Sequence, residues 1–577
     1  MRPRRPALRW PRLGAAVLAS GLVAMVSLVG LQPVASAEAP RADALTSQSV
    51  TVSVVSVSPS TLIPSTTPTM LTVVLSLTNT SGQTLTDLAL KGSRSNPIST
   101  RSALDAAIAK VQPPDQNQAA DYNPTKPVTL TLGPGQSAQV PFVAQTSTDA
   151  STNPGLCVCN DLIYPLYFTA TAFDRSSAAL VVGSAQTYVV AFSTSKPSPV
   201  QVAWVWPLID RPHRLASDTA FLDDALATSV SSAGRLDRML QVVEAVASRS
   251  IAMTLVIDPE LIGEVSTMAS GYTVQERGKA VAGTGGAAAA AWLDRLRAAL
   301  ALDSKLEVDL TPLADPDVES LTRNGLGWTS VNPQVSSQVS VALGGHPVGT
   351  NLAWPADQSA GSDTLSRLVS QGNTAVILDD RTLRPTAGTN RPANQLGVVQ
   401  TPSGQITAHV TDASIQRWVA PVLTNGGPGL SQLPQLVSEV SIDAVAASQQ
   451  TPSQTSHYVC IVAPRLLNPA PDAAAAAILQ TADTYWSQAI TIGAASTSVP
   501  PADHAQLVAP DASAGGLPPE AIAAAQAATD AAQALNTMFR SVDATTILGA
   551  FPVAVQRSES TAWRYEPDGP QGGVAFA

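Results

Sequence analysis

At 577 residues the chain is longer than one ordinary core serves, so two or three domains are expected. Charged residues are only 13% of it and the net charge is -10, which moves to -15 without the first 37 residues because they hold five arginines and no acid. Clustered Lys and Arg are missing, which excludes a nucleic-acid partner, and three cysteines with five scattered histidines give no zinc-ligand spacing.

Residues 1–37 read as a signal peptide. Arg2, Arg4, Arg5, Arg9 and Arg12 precede the apolar run Gly14 to Leu31, and Ala35-Ser36-Ala37 has the small-x-small form that signal peptidase accepts. Cleavage between Ala37 and Glu38 and export by the general secretory route follow as expectations, although about 18 apolar residues also suffice for an uncleaved membrane anchor. Residues 38–48 are a linker. From 49 to 196 runs such as VTVSVVSVSP, MLTVVLSLTNTSG and SAQTYVVAFS alternate or are β-branched and are broken by turn residues, which predicts an Ig-like β-sandwich, with one short helix over Arg101 to Lys110. Cys157 and Cys159 can pair in an oxidising compartment, and Cys460, inside YVCIVAP, reads as a buried thiol.

After Ser195-Lys196-Pro197-Ser198-Pro199 the pattern changes. Over 197–498 apolar strands alternate with amphipathic helices, as in VQVAWVWPLI followed by RLDRMLQVVEAVAS. Strands apolar on both faces imply a parallel sheet under helices, and at least six such units fit a (β/α) barrel or an incomplete one. PANQLGVVQTPSGQITAHVT predicts an inserted hairpin, Asp472 to Ile490 a helix, and AGTGGAAAAA a flexible linker. Residues 499–577 are expected to be a loop, a long helix opened by Pro518-Pro519-Glu520, and the start of a C-terminal β region.

In a parallel barrel, chemistry sits at the C-terminal strand ends, and here those ends are acidic. Asp258, Asp315, Asp317 and Asp357 are the candidate catalytic acids, since glycoside hydrolysis needs a carboxyl pair. Asp258-Pro259-Glu260 and Asp315-Pro316-Asp317 read equally as helix caps. Asp357 is freer to face a cleft, because Ser362 or Asp363 is better placed to cap the next helix. Trp206, Asp210, Arg211, His213 and Trp354 are candidate ligand-binding residues, aromatic faces beside carboxylates being suited to sugars. His213 reads more simply as an exposed loop histidine bonded to Asp210, with Arg211 and Arg214 paired to Asp223 or Asp224. No His-x-x-x-His pair, G-x-S-x-G elbow, P-loop or dinucleotide fingerprint occurs, so no metal or cofactor is expected.

The succession WVWPLIDRPHR, FLDDALATSVSSAGRLDRML, VIDPELIGEVSTMASGY, AAAAAWLDRLRAAL, LTPLADPDVESL and LAWPADQSAGSDTLSRLVSQGNTAVIL resembles an exported actinobacterial family of unknown function, over about residues 49 to 560. The resemblance implies genes typically near a lipid II flippase of the MurJ type, and further β-structure with a C-terminal membrane helix that this chain, stopping at Ala577, does not show. The middle region is also distantly similar to glycosidase and deacetylase barrels. The expected function is a non-catalytic or weakly catalytic barrel that binds wall glycan or an envelope protein. The alternatives are an active glycoside hydrolase and a structural component of an envelope assembly complex, with membrane attachment through an uncleaved signal or a missing helix.

Overall fold

β-Branched alternation from Ser49 onward becomes strands because each places Val, Leu or Phe on one face and Thr, Ser or Gln on the other. The structure, a computed structural model, describes residues 45–65, 69–109, 120–122, 128–147, 156–173, 178–193, 199–214, 220–302, 305–384, 396–448, 457–500, 506–507, 515–536 and 551–565. The expected signal segment lies outside them. In the first region Val50–Ser58, Thr69–Asn79 and Ser137–Ser147 pair antiparallel. A second sheet pairs Leu85–Arg94, Ile163–Phe173 and Ala179–Ala191. Leu71, Val73 and Leu75 of the first sheet share one core with Leu88, Phe168 and Val189 of the second. Gly183 sits where the sheets meet, and a Cβ there would collide with the Val50 carbonyl. Cys159 is disulfide-bonded, and Cys460 is a free, buried thiol.

Seven parallel strands follow: β1 (Val200–Leu208), β2 (Met253–Ile257), β3 (Leu306–Leu310), β4 (Leu352–Ala353), β5 (Ala375–Asp379), β6 (Gly404–Thr411) and β7 (Tyr458–Val462). Each pairs with its neighbour in chain order, and β7 returns to β1 through Gln201–Val205. The remaining seam, between β3 and the stretch entering β4, closes at Gly349, whose N–H donates to the Val308 carbonyl at 2.7 Å and whose carbonyl accepts from Leu310 N–H at 2.9 Å. The result is a closed parallel barrel. Gly349 is needed at the seam, since a Cβ would press on the Asp309 carboxylate.

Period-2 alternation divides the strand residues between two cores. Ala203, Val205, Val256, Ile377, Cys460 and Val462 fill the barrel interior. Val202, Trp204, Trp206, Leu255 and Ile461 point outward onto the helices. Trp204 donates to Thr481 Oγ1 (2.9 Å) and Trp206 to the Met239 carbonyl (3.2 Å), so neither indole N–H is left dry. Each ring removes about 150–250 Å² from water, up to roughly 4–6 kcal/mol at about 25 cal/mol/Å².

The helical layer comprises α1 (Arg235–Ala247), α2 (Pro259–Ser270), α3 (Gly286–Leu302), α4 (Val318–Arg323), α5 (Ser362–Ser370), α6 (Ala413–Leu423), α7 (Leu433–Ser448) and α8 (Pro471–Ala482). On α1, Leu236, Met239, Leu240, Val243 and Val246 form the buried stripe. The N-terminal end of the barrel is stoppered by α9 (Ile492–Ser498). Its Ile492 N–H donates to Thr254 Oγ1, Gly493 N–H to the Glu307 carboxylate (3.0 Å), and Ser496 meets His409 Nε2 (2.9 Å). The short helix Arg101–Ala109 ties the first region to this layer, Arg101 reaching Glu439 (2.9 Å) and Asp443 (3.1 Å).

Four expectations change. The hairpin is present, but its second strand is β6, a member of the barrel. The helix expected over Asp472 to Ile490 stops at Ala482, and Ser487–Ala489 is a strand beside β1, because Trp486 turns into the core. The supposed linker joins the strand Lys279–Ala282 to α3, which already begins at Gly286. After α10 (Pro519–Asn536), the described residues 551–565 form α11 (Phe551–Ser558) and the turn of helix Ala562–Tyr565 where β-strands were expected, and the rest of that expected region lies outside the described residues. Among the described residues no helix is long and apolar enough to cross a membrane.

Candidate functional site

The C-terminal strand ends converge on one mouth, where two loops carry strained backbone. Ala314 and Asp315 after β3, and Asp357 and Gln358 after β4, all have φ between 46° and 64°. Four non-glycine residues in the left-handed region cost stability and persist only where surrounding contacts impose them.

Asp258 caps α2, accepting from Glu260 N–H (2.9 Å), and also accepts from Ala314 N–H (2.9 Å), so it joins the β2 and β3 loops. Burial, then the charges of Asp315 and Glu260, push its pKa well above the ordinary carboxylate value. Burial also works against the charge of Glu260, but Arg214 (3.0 Å) and Arg557 (2.8 Å) both donate to its Oε1 and hold its pKa low. Glu264, one turn along α2, is pushed up by burial and by Glu260. Asp315 pairs with Arg465 at 2.8 and 3.3 Å. The same guanidinium lies 4.1 Å over the Trp354 ring and donates to the Trp354 carbonyl. Asp317, not Asp315, caps α4 (Ser320 N–H, 3.0 Å).

The residues after β1 form a separate network at the rim. Arg211 pairs with Asp223 (2.7 Å), as expected, while Arg214 turns to Glu260 instead. Asp210 is held below its ordinary pKa by Arg235 and His213 despite its burial. His213 is not exposed: 2% accessible, it binds Asp223 through Nδ1 (2.9 Å) and lies 4.0 Å from Asp210. The loop folds inward because Glu264 accepts both the His213 and Arg214 N–H groups. Trp206 is excluded from any site here, since it is fully buried under α1. Neither Ser362 nor Asp363 caps α5. Gly361 takes that position, and its N–H donates to Glu319 of α4 (2.8 Å).

The mouth is covered by the segment Arg557–Tyr565. Arg557 to Trp563 are buried across it. Pro316 and Ser560 form an antiparallel bridge, flanked by Asp317 N–H to the Glu559 carbonyl (2.9 Å) and Thr561 N–H to the Asp315 carbonyl (2.8 Å). Arg557 takes Glu260, Thr561 takes Asp315, Arg564 takes Asp317 (3.2 Å) and Asp357, and the Tyr565 hydroxyl donates to Asp357 (2.8 Å). Beside Asp315, a cavity lined by Thr311, Pro316, Trp354 and Leu368 holds about 20 Å³, room for one water. Asp258 Oδ2, Glu260 Oε2, Glu264 Oε2, Thr311 Oγ1 and Trp354 Nε1 are buried with no partner among the described residues. Among the described residues, no three His, Cys, Asp or Glu side chains are grouped to hold a metal ion. The functional groups missed in the sequence are Glu264, Arg465 and the run Arg557–Tyr565. Arg465 had a signal, standing at the end of the strand YVCIVAPR.

A family model described as a family of unknown function (DUF6049) matches residues 9–418. The chain belongs to that family. As a DUF6049 member it has similarities among solved structures at low identity. One is a 4-alpha-glucanotransferase from Thermococcus litoralis (10% identity, TM-score 0.36, covering 55% of this chain and 43% of that one). Others are the alpha-amylase AmyC from Thermotoga maritima (12%, 0.42, 66% and 92%) and a GH57 branching enzyme from Thermococcus kodakaraensis (8%, 0.43, 65% and 87%). This DUF6049 chain thus spans less than half the length of the glucanotransferase. No curated protein matches it.

Proposed function

We propose that this chain is an exported cell-envelope protein whose barrel binds a wall glycan or an envelope protein at its mouth without cleaving it. The observation that carries the reading is the engagement of Glu260, Asp315, Asp317 and Asp357 by the chain's own Arg557, Thr561, Arg564 and Tyr565. Carboxyls committed to arginines and hydroxyls are not free to flank a glycosidic bond and an attacking water. Export rests on the charge and hydropathy pattern of residues 1–37. The genomic neighbourhood implied by the family resemblance would put the partner in wall assembly.

A second reading, glycoside hydrolysis, has one observation in its favour. Asp258, whose pKa is raised by burial and then by the charges of Asp315 and Glu260, neighbours Asp315, which is paired with Arg465; two carboxyls in unequal surroundings are the arrangement such enzymes use. The test is to incubate the secreted chain, its N-terminus verified as Glu38, with purified wall polymers. The binding reading expects co-sedimentation with the polymer or an envelope fraction and no new reducing ends. Reducing ends that disappear in Asp258→Asn or Asp357→Asn would overturn it.

A further inference from the structure

We infer that the mouth of the barrel is a receptor for an arginine-bearing peptide, and that Arg557–Tyr565 occupies it as a displaceable stand-in. The inference rests on the binding reading above and chooses, between its two ligand classes, the envelope protein. The first support is the mode of contact. The segment crosses the mouth through one antiparallel bridge set between α11 and the helical turn Ala562–Tyr565, with paired backbone hydrogen bonds on either side of Pro316 and Ser560.

The second support is charge. Without the segment the mouth holds the carboxyls of Glu260, Asp315, Asp317 and Asp357 against Arg214 and Arg465. An uncharged sugar would leave that excess of acid uncompensated. Arg557 and Arg564, seven positions apart, meet it at Glu260 and at Asp317 with Asp357, while Trp563 packs into the apolar cluster that includes Val318 and Leu321.

The third support is the incomplete fit. Asp258 Oδ2, Glu260 Oε2, Glu264 Oε2 and Trp354 Nε1 are buried at the mouth with no partner among the described residues. Buried polar groups left unpaired penalise the closed state, so an occupant that satisfies them displaces the resident segment. The outer anchor is also the more accessible one, the Asp357 side chain being 46% exposed.

The test is direct binding of a labelled peptide with the sequence Gln556–Tyr565. The receptors are the full chain, the same chain carrying R557A and R564A, and a P316C/S560C chain in which oxidation locks the segment. Pro316 and Ser560 form a non-hydrogen-bonded pair, whose usual Cα separation of about 4.5 Å suits a disulfide. The peptide is expected to bind the R557A/R564A chain at least tenfold more tightly than the unaltered chain. It should not bind the oxidised lock until reductant is added, and a peptide with both arginines replaced by alanine should bind at least tenfold more weakly. Equal binding to open and locked chains, no binding to a folded R557A/R564A chain, or equal binding of a scrambled peptide overturns the inference. So does a wall oligosaccharide that binds the open mouth where the peptide does not. If the double variant loses its near-ultraviolet dichroism, R564A alone is read by the same criteria. Envelope co-sedimentation that survives in the locked chain would leave the binding reading standing and sink this one.

Discussion

Arg465→Met tests what holds the mouth together. The guanidinium is 6% exposed, donates to Asp315 at 2.8 and 3.3 Å, and lies 4.1 Å over the Trp354 ring. Methionine keeps much of the apolar stem but leaves Asp315 as a buried carboxylate without its cation. Breaking a buried pair from one side costs about 3–5 kcal/mol, because the surviving charge is uncompensated. Spread over an unfolding entropy of about 2.1 cal/mol/K per residue for a barrel of about 300 residues, that is a fall of roughly 5–8 °C in Tm. Adding Asp315→Asn should restore most of the loss, since the penalty belongs to the stranded charge and not to the pair. Calorimetric melting of the wild type, both single variants and the double variant measures this. A loss under about 1 kcal/mol for Arg465→Met, or a double variant as unstable as the summed singles, would refute the reasoning.

Gly349→Val should loosen the β3–β4 seam by about 1–3 kcal/mol, read as a lower urea midpoint, because its Cβ would press on the Asp309 carboxylate. Asp309 itself has a pKa pushed up to about 7 by burial and then by Glu307. A raised folded-state pKa gives stability that is complete below the unfolded value and lost as pH rises through about 7; Asp309→Asn should therefore flatten the decline in Tm between about pH 4 and 7. His409 has the opposite sign: burial lowers its pKa to about 3, so its contribution is present above about pH 6.5 and lost as pH falls toward 3, and His409→Gln should remove that acid-side slope. Thr481→Val should cost about 1–3 kcal/mol in denaturant titration by leaving the Trp204 N–H dry.

Strand and helix identity over 197–498 was legible because apolar runs and helical stripes report local periodicity. The closed ring was not. Its fourth strand is two residues long, and its sixth was disguised as half of a hairpin whose turn residues dominate the local pattern. At the site, Asp258, Asp315, Asp317 and Asp357 could be placed at strand ends from position alone. Their partners lie up to 247 residues away, as Arg564 does from Asp317, and no local spacing announces such a pair. The C-terminal arginines were overlooked for a related reason: read in isolation, AFPVAVQRSESTAWRY offers apolar spacing for strands, whereas docking on the mouth favours helical turns around an extended bridge.

The wiring of the barrel also bears on how family members can be cut into pieces. The family match ends at residue 418, yet β7, which begins at Tyr458, is the stave that joins the last part of the hoop to the first. A fragment stopped at the match boundary would bare the N–H and C=O groups along Gln201–Val205, a template for sticking to its own copies. The smallest piece that seals the hoop runs to Val462, and the piece that also keeps its base stopper runs to Ser498.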